Sequence, residues 1–250
     1  NATLQQIIDE TADGRLFGPQ IVAAGFLEGE SPYSARNGFV VSDLEGAKRA
    51  VDWYAAHGYI QIKVYNSFPR QHLRETVAYA HSRGLRVSGH VPAFLRAEEV
   101  VEAGFDEVNH INQVMLNFLV DDKTDTRTLQ RFYLPAQRTA GLDFDGPRVQ
   151  GFIKLLQDRG TVIDPTLTTF DFLRQRDGQP SQAFRAIMPN MPASFQRARM
   201  SGGMDIPNDR VQALYDKSYG RMIDFVGRLH RAGIPLVSGT DEIEGFTLHR

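Results

Sequence analysis

The chain of 250 residues is 42% hydrophobic and carries 28 basic against 30 acidic side chains, a net charge of −2. That balance supplies no long-range attraction for nucleic acid or for an anionic membrane, and the apolar content suffices for one sizeable core, so a single domain over 1–250 is expected. Cysteine is absent, which excludes disulfides and thiolate catalysis and leaves nitrogen and oxygen to bind any metal. No run approaches the roughly 20 apolar residues of a membrane span, and the opening Asn1-Ala2-Thr3-Leu4 lacks the order of a signal peptide. The expectation is a soluble protein whose first residue is a cut edge, with the compartment left open between cytoplasmic and periplasmic or secreted.

Short apolar runs alternate with longer amphipathic ones from Gln20 onward, the pattern of parallel strands joined by covering helices. Six strands are predicted, over 20–25, 59–65, 85–90, 105–110, 161–166 and 234–239. After the first, Asp43 is placed to cap a helix over 44–56 with Ala47, Ala50, Val51 and Tyr54 on one face and Gly58 behind it. A helix over 69–82 opens at Pro69, turns Leu73, Val77 and Ala80 inward and stops at Gly84. Further helices over 98–103, 149–158 and 222–231 end at Gly104, Gly160 and Gly233. Five helix, glycine, strand junctions repeat one local construction, which argues more strongly than any single boundary.

Two stretches interrupt the rhythm. Residues 112–146 contain a predicted helix near 128–139, and residues 171–209 are rich in Pro, Met, Arg and Gly. Both leave strand ends where an α/β barrel keeps its active site, and they read either as walls of a substrate pocket or as surface insertions without a role. Met188, Met191, Met200 and Met204 read as adaptable packing. Arg174, Arg176, Arg185, Arg197 and Arg199 read as solvated surface or as ligands for an anionic substrate group.

Alternation along 59–65 sends Ile60, Ile62 and Val64 one way and Gln61, Lys63 and Tyr65 the other. With helices covering the isoleucine side, Lys63 faces the interior of the sheet assembly. A bare ammonium there is costly and must be paired, neutralised or chemically modified. His90, His110 and Asp241 fall at the ends of three further strands. Each has an ordinary alternative: a salt-bridged lysine, hydrogen-bonded histidines, an aspartate that caps a short helix. Together they occupy the same end of neighbouring parallel strands, where side chains distant in sequence can meet around a metal ion. No Gly-rich phosphate loop, no Gly-x-Ser-x-Gly elbow and no glycosidase-like carboxylate spacing offers a competing chemistry.

From Leu4 to the last residue, and most strongly over 59–117 and 229–250, the sequence resembles the metal-dependent amidohydrolase superfamily, within it the imidazolonepropionase-like and Xaa-Pro dipeptidase-like enzymes. The residues that carry the resemblance are Lys63, His90 after Ser88-Gly89, His110 after Asn109, and Asp241 closing the run from Gly233. The resemblance implies an α/β fold of the TIM-barrel (β/α)8 type, here truncated to strands three to eight. It implies that Lys63 is carboxylated by carbon dioxide and bridges two divalent ions, zinc first among the candidates. His90 and His110 would bind the more exposed ion. Asp241 would bind the other and take the proton of the nucleophilic hydroxide, and Tyr65 would contact substrate. The implied reaction is hydrolysis of an amide, cyclic-amide or peptide C–N bond in a small molecule or short peptide.

Two departures bear on this. The family opens its barrel with a His-x-His pair, and none occurs among His57, His72, His81, His90, His110, His230 and His249. The chain therefore reads as a piece of a longer protein, inactive alone, whose barrel another segment or subunit completes. After Tyr65, Asn66-Ser67-Phe68-Pro69 stands where dipeptidase-like members carry a Gly-Ser-rich loop, so peptide specificity does not carry over. Two other readings stay open: a non-catalytic binding or assembly module, and a lactone or phosphotriester hydrolase on the same centre.

Overall fold

In the computed structural model, which describes residues 2–180, 182 and 184–241, six parallel strands form one sheet. In chain order, α1 (Ala2–Ala12) precedes β1 (Ala24–Gly29) and β2 (Phe39–Val41), and α2 (Leu44–Ala56) leads to β3 (Gln61–Val64). Next come α3 (Leu73–Ser82), β4 (Arg86–Gly89), α4 (Ala97–Ala103) and β5 (Glu107–Asn109). Helices α5 (Ile111–Leu119), α6 (Gln130–Arg138) and α7 (Pro147–Arg159) intervene before β6 (Val162–Asp164). The described chain closes with α8 (Leu167–Phe170), α9 (Ala193–Ala198) and α10 (Asp209–Arg231). The sheet order β2-β1-β3-β4-β5-β6 leaves the sheet open, with β2 and β6 at its edges.

The core lies between the sheet and its covering helices. Leu27, Ile62, Val64, Val87, Val108 and Ile163 pack on Ala47, Val51, Val77, Ala80, Val100, Val101 and Leu156, all buried. Helices α2, α3, α4 and α7 follow one another around this face, each packed against the next. Alternation is as expected at Ile62 and Val64, whereas Ile60 precedes the strand and is exposed. The five junction glycines all adopt positive φ: 75° at Gly58, 75° at Gly84, 107° at Gly104, 65° at Gly160 and 78° at Gly233. Only glycine enters this region without a Cβ penalty, which is why one construction recurs at every helix end that feeds the sheet edgewise.

Several boundaries differ from the sequence expectation. The first strand is Ala24–Gly29 rather than 20–25, because the register that pairs Leu27 with Val64 carries Leu27 into the core while Val22 stays exposed. The expected strand over 234–239 is reduced to a single parallel bridge between Leu236 and Ile163. Pro235 lacks an N–H for a continuing ladder, although its carbonyl accepts the Ile163 amide at 3.0 Å. β2 has no counterpart among the expected strands, since three residues are too few for a period-2 pattern to register.

Among the helices, α2 has the expected bounds, with Asp43 Oδ1 accepting the Gly46 amide at 2.7 Å. The helix over 69–82 divides into a 3-10 turn, Arg70–His72, and α3. The helix over 222–231 is the last part of α10, capped by Asn208 at its start and buried along Tyr215, Ser218, Tyr219, Met222, Phe225 and Leu229. Gly220 lies inside this helix on its exposed face and masks the helical character in a propensity reading. Residues 112–146 supply α5 and α6, which pack on each other and on α10. Within 171–209, Phe184, Met188 and Phe195 form a small separate core flanked by Met191 and Met200, while Met204 joins the main one. Among the described residues no helix is long and apolar enough to cross a membrane.

Candidate functional site

The carboxyl ends of β3, β4 and β5, and the segment that follows the Leu236 bridge beside β6, carry the candidate residues on one side of the sheet. Lys63 projects from the middle of the sheet, in register with Phe26 on β1 and Ser88 on β4. It is half-buried, its side chain makes no hydrogen bond or ion pair among the described residues, and it acts through its charge on His90, His110 and Asp164. Gly89, at φ 131°, lets β4 approach β3 where any side chain would collide with the Val64 carbonyl, and His90 follows it.

His90 is 7% exposed, and its Nδ1 lies 2.8 Å from Oδ1 of Asn66. Its ring is 4.0 Å from that of Tyr65 and stands edge-to-face with that of His110, centroids 4.5 Å apart. His110 leaves β5 with φ 72° and ψ 125° to open α5. Its amide donates to the Asp164 carbonyl at 2.6 Å, and its Nδ1 lies 2.8 Å from Thr166 Oγ1. Burial above all, then the charges of Lys63 and Arg131, brings the His110 imidazole down to about 3. Burial, His110, Lys63 and Arg131 likewise hold His90 well below the ordinary histidine range. Both rings are therefore neutral at pH 7, the state in which imidazole binds a metal.

Asp241 turns its carboxylate toward His110, Oδ2 to Nε2 3.9 Å, from a backbone at φ 48°. That Nε2 is buried and has no hydrogen-bond partner. Of the four sequence-predicted residues, His110 thus meets both His90 and Asp241, while Lys63 acts on the two imidazoles through its charge. Among the described residues no group of three or more His, Asp and Glu side chains closes around a metal position. Tyr65 packs between Phe26, at 4.9 Å, and His90, and burial raises its phenol.

Five further residues shape the rim, and sequence reasoning does not single them out as site residues. Asn66 and Thr166 orient the two imidazoles. Glu28, wholly buried at the end of β1, accepts the amides of Gly29 at 3.0 Å, Ser67 at 2.7 Å and Ala35 at 3.3 Å, while burial raises its carboxyl. Asp164 ends β6 with its carboxyl also raised by burial. Arg131 on α6 exerts its charge on Glu28, Tyr65, His90 and His110 together. The one signal available for Asn66, Thr166 and Asp164 is a polar residue at or just past a strand end, a signal shared with ordinary turns.

No family model matches the sequence, and no curated protein matches it. Solved structures match over nearly its whole length. A bottromycin amidohydrolase is 19% identical with a TM-score of 0.63, the match covering 95% of this chain and 50% of that one. A Xaa-Pro dipeptidase with methionine in its active site is 15% identical with a TM-score of 0.51, covering 95% of this chain and 51% of that one. The A. niger ochratoxinase is 15% identical with a TM-score of 0.53, covering 95% of this chain and 49% of that one. The chain spans about half the length of the solved structures it matches. Its parallel six-stranded sheet with covering helices is similar in fold to about half of each of these structures, an α/β arrangement resembling part of a (β/α)8 barrel.

Proposed function

We propose that this chain carries part of the active site of a metal-dependent hydrolase of C–N bonds, its substrate an amide, cyclic amide or short peptide. The observation that carries the reading is the buried Nε2 of His110, without a hydrogen-bond partner and aimed at the Asp241 carboxylate 3.9 Å away. A buried polar atom left unpaired is costly, and a metal ion is the partner that a neutral imidazole with its other nitrogen engaged is built to meet. The donor types suit divalent ions such as zinc: His90 and His110 would supply nitrogen ligands to one and Asp241 an oxygen ligand to the other, with no three of these side chains gathered at one point among the described residues. Bound there, such an ion would lower the pKa of a water nucleophile and polarise the scissile carbonyl.

Lys63 is the residue that decides between one ion and two. As an ammonium it opposes a cation at the imidazoles whose protonation it already disfavours. As a carbamate it becomes an anion with two oxygens able to bridge two ions. Asp241 is the base for the nucleophile's proton and can return it to the leaving nitrogen. Tyr65, its phenol protonated, offers a donor to substrate. Arg131 makes no ion pair among the described residues and so offers a guanidinium to an anionic substrate group from within 112–146. Residues 112–146 and 171–209 are read as insertions that build the rim of this site.

The chain alone offers one ion two imidazoles and a bridge, and the other only the bridge and Asp241. Hydrolysis by this chain by itself is expected to be weak or nil, with another segment or subunit completing the barrel. A binding or assembly module is the competing reading, favoured by the absence of a three-ligand cluster among the described residues. Equilibrium dialysis against zinc or cobalt, with 13C NMR after labelling with bicarbonate, separates the two. Stoichiometric metal and a carbamate signal lost in Lys63→Ala support the hydrolase; neither appearing, in this chain or in a longer one that contains it, favours the module.

A further inference from the structure

We infer that Asp164 is a positioning residue that sets the geometry of His110 and Asp241 together, an inference that rests on the metal-site reading above. One carboxylate oxygen, Oδ1, accepts the amide of Gly239 at 2.9 Å and the amide of Thr166 at 3.3 Å. Each of those residues is one short step from a candidate ligand. Thr166 Oγ1 meets His110 Nδ1 at 2.8 Å, and Gly239 lies two residues before Asp241. The Asp164 carbonyl takes the His110 amide as well, at 2.6 Å, so both halves of one residue hold the histidine.

Backbone conformation points to the same place. Four described residues other than glycine have positive φ, and three of them are His110 at 72°, Thr166 at 43° and Asp241 at 48°. For a β-branched residue such as Thr166 this is an outlier, and such strain persists only where surrounding bonds over-determine it. The bonds that do so here converge on Asp164. Gly239 interlocks with the carboxylate: a Cβ at that position would collide with both Asp164 oxygens. On the far side of the turn, Thr169 Oγ1 donates to the Thr240 carbonyl. A carboxylate suits this task because two donors address one acceptor-only group, a geometry that an asparagine oxygen can reproduce but an alanine cannot.

The test uses the whole chain with two readouts, imidazole 15N NMR of the metal-free protein and competition titration with Co2+. Asp164→Ala should move the His110 ring signals away from their wild-type positions and lower Co2+ affinity on the order of 10–100-fold, the usual effect of removing an outer-shell partner. Asp164→Asn should restore most of both. Gly239→Ala, which leaves Asp164 in place but drives a methyl group into it, should reproduce the alanine variant and carries the test if that variant does not fold. Unmoved His110 signals in Asp164→Ala would overturn the inference. So would an Asp164→Asn variant as impaired as Asp164→Ala, since that would assign the effect to charge or direct ligation rather than position. If the wild-type chain takes up no Co2+, the metal-site reading fails, and the metal-free imidazole spectrum still decides the role of Asp164.

Discussion

Asn66 Oδ1 lies 2.8 Å from His90 Nδ1, a bond between the loop that follows β3 and the residue that ends β4. An amide oxygen only accepts, so Nδ1 carries the proton and Nε2 presents its lone pair to the rim. Asn66→Leu removes the acceptor while filling similar space. Affinity for a divalent ion, read by competition with a chelating dye, should fall on the order of 10–100-fold. Unchanged affinity would mean that His90 is oriented by packing alone.

The two buried imidazoles make stability depend on pH. The ordinary histidine value is about 6.5 in an unfolded chain, and His110 is brought down to about 3 by burial first and by Lys63 and Arg131 second. Between those limits the unfolded chain binds a proton that the folded chain refuses, so stability is fully present above the unfolded value and is lost as pH falls. Linkage for His110 alone reaches on the order of 5 kcal/mol at the acid limit. Urea midpoints of metal-free protein should therefore decline from pH 7 to pH 4, less steeply in His110→Asn. A flat profile in the wild type would contradict the buried neutral state.

Glycines at helix ends and within helices should respond oppositely. Gly104 and Gly160 sit at φ 107° and 65°, so Gly104→Ala or Gly160→Ala should cost about 1–2 kcal/mol. Gly151 lies inside α7 with open space where a methyl group would stand, and Gly151→Ala should stabilise by about 0.5–1 kcal/mol. Denaturant titration of the three variants reads both signs.

Phe225 joins α10 to the core, wholly buried, with its ring 4.9 Å from that of Phe144 and 6.1 Å from that of Phe118. Phe225→Ala should cost about 3–5 kcal/mol by leaving a cavity. Ile60 is exposed, and Ile60→Ala should stay within about 0.5 kcal/mol. A Phe225→Ala loss in thermal or urea unfolding as small as that expected of Ile60→Ala would mean that α10 is not integral to the fold.

Local rules are legible wherever one residue type answers one physical need. Asp43 caps α2, glycine closes the helices before β3, β4, β5 and β6, and Ile62 and Val64 turn toward covering helices while Lys63 turns away. What escapes is short or interrupted: the three residues of β2, the extension of α10 past Gly220, and the strand at 234–239, which contracts to the Leu236 bridge. The candidate ligands His90, His110 and Asp241 are legible as strand-end residues, yet their orienting partners Asn66, Thr166 and Asp164 are not, since each lies 24, 56 or 75 residues from the group it holds.

By itself, then, the order of amino acids determined most of the alternation of strand and helix, the sides taken by Ile62, Lys63 and Val64, and the strand ends at which the candidate residues stand, because backbone periodicity and conformational preference act over a few neighbours. Only the tertiary structure decided that the two imidazoles are buried edge-to-face, and that Asp164 accepts amides both from Thr166, which meets His110, and from Gly239, two residues before Asp241. Burial, hydrogen bonding across strands and the field of Lys63 and Arg131 depend on distances that no local pattern encodes.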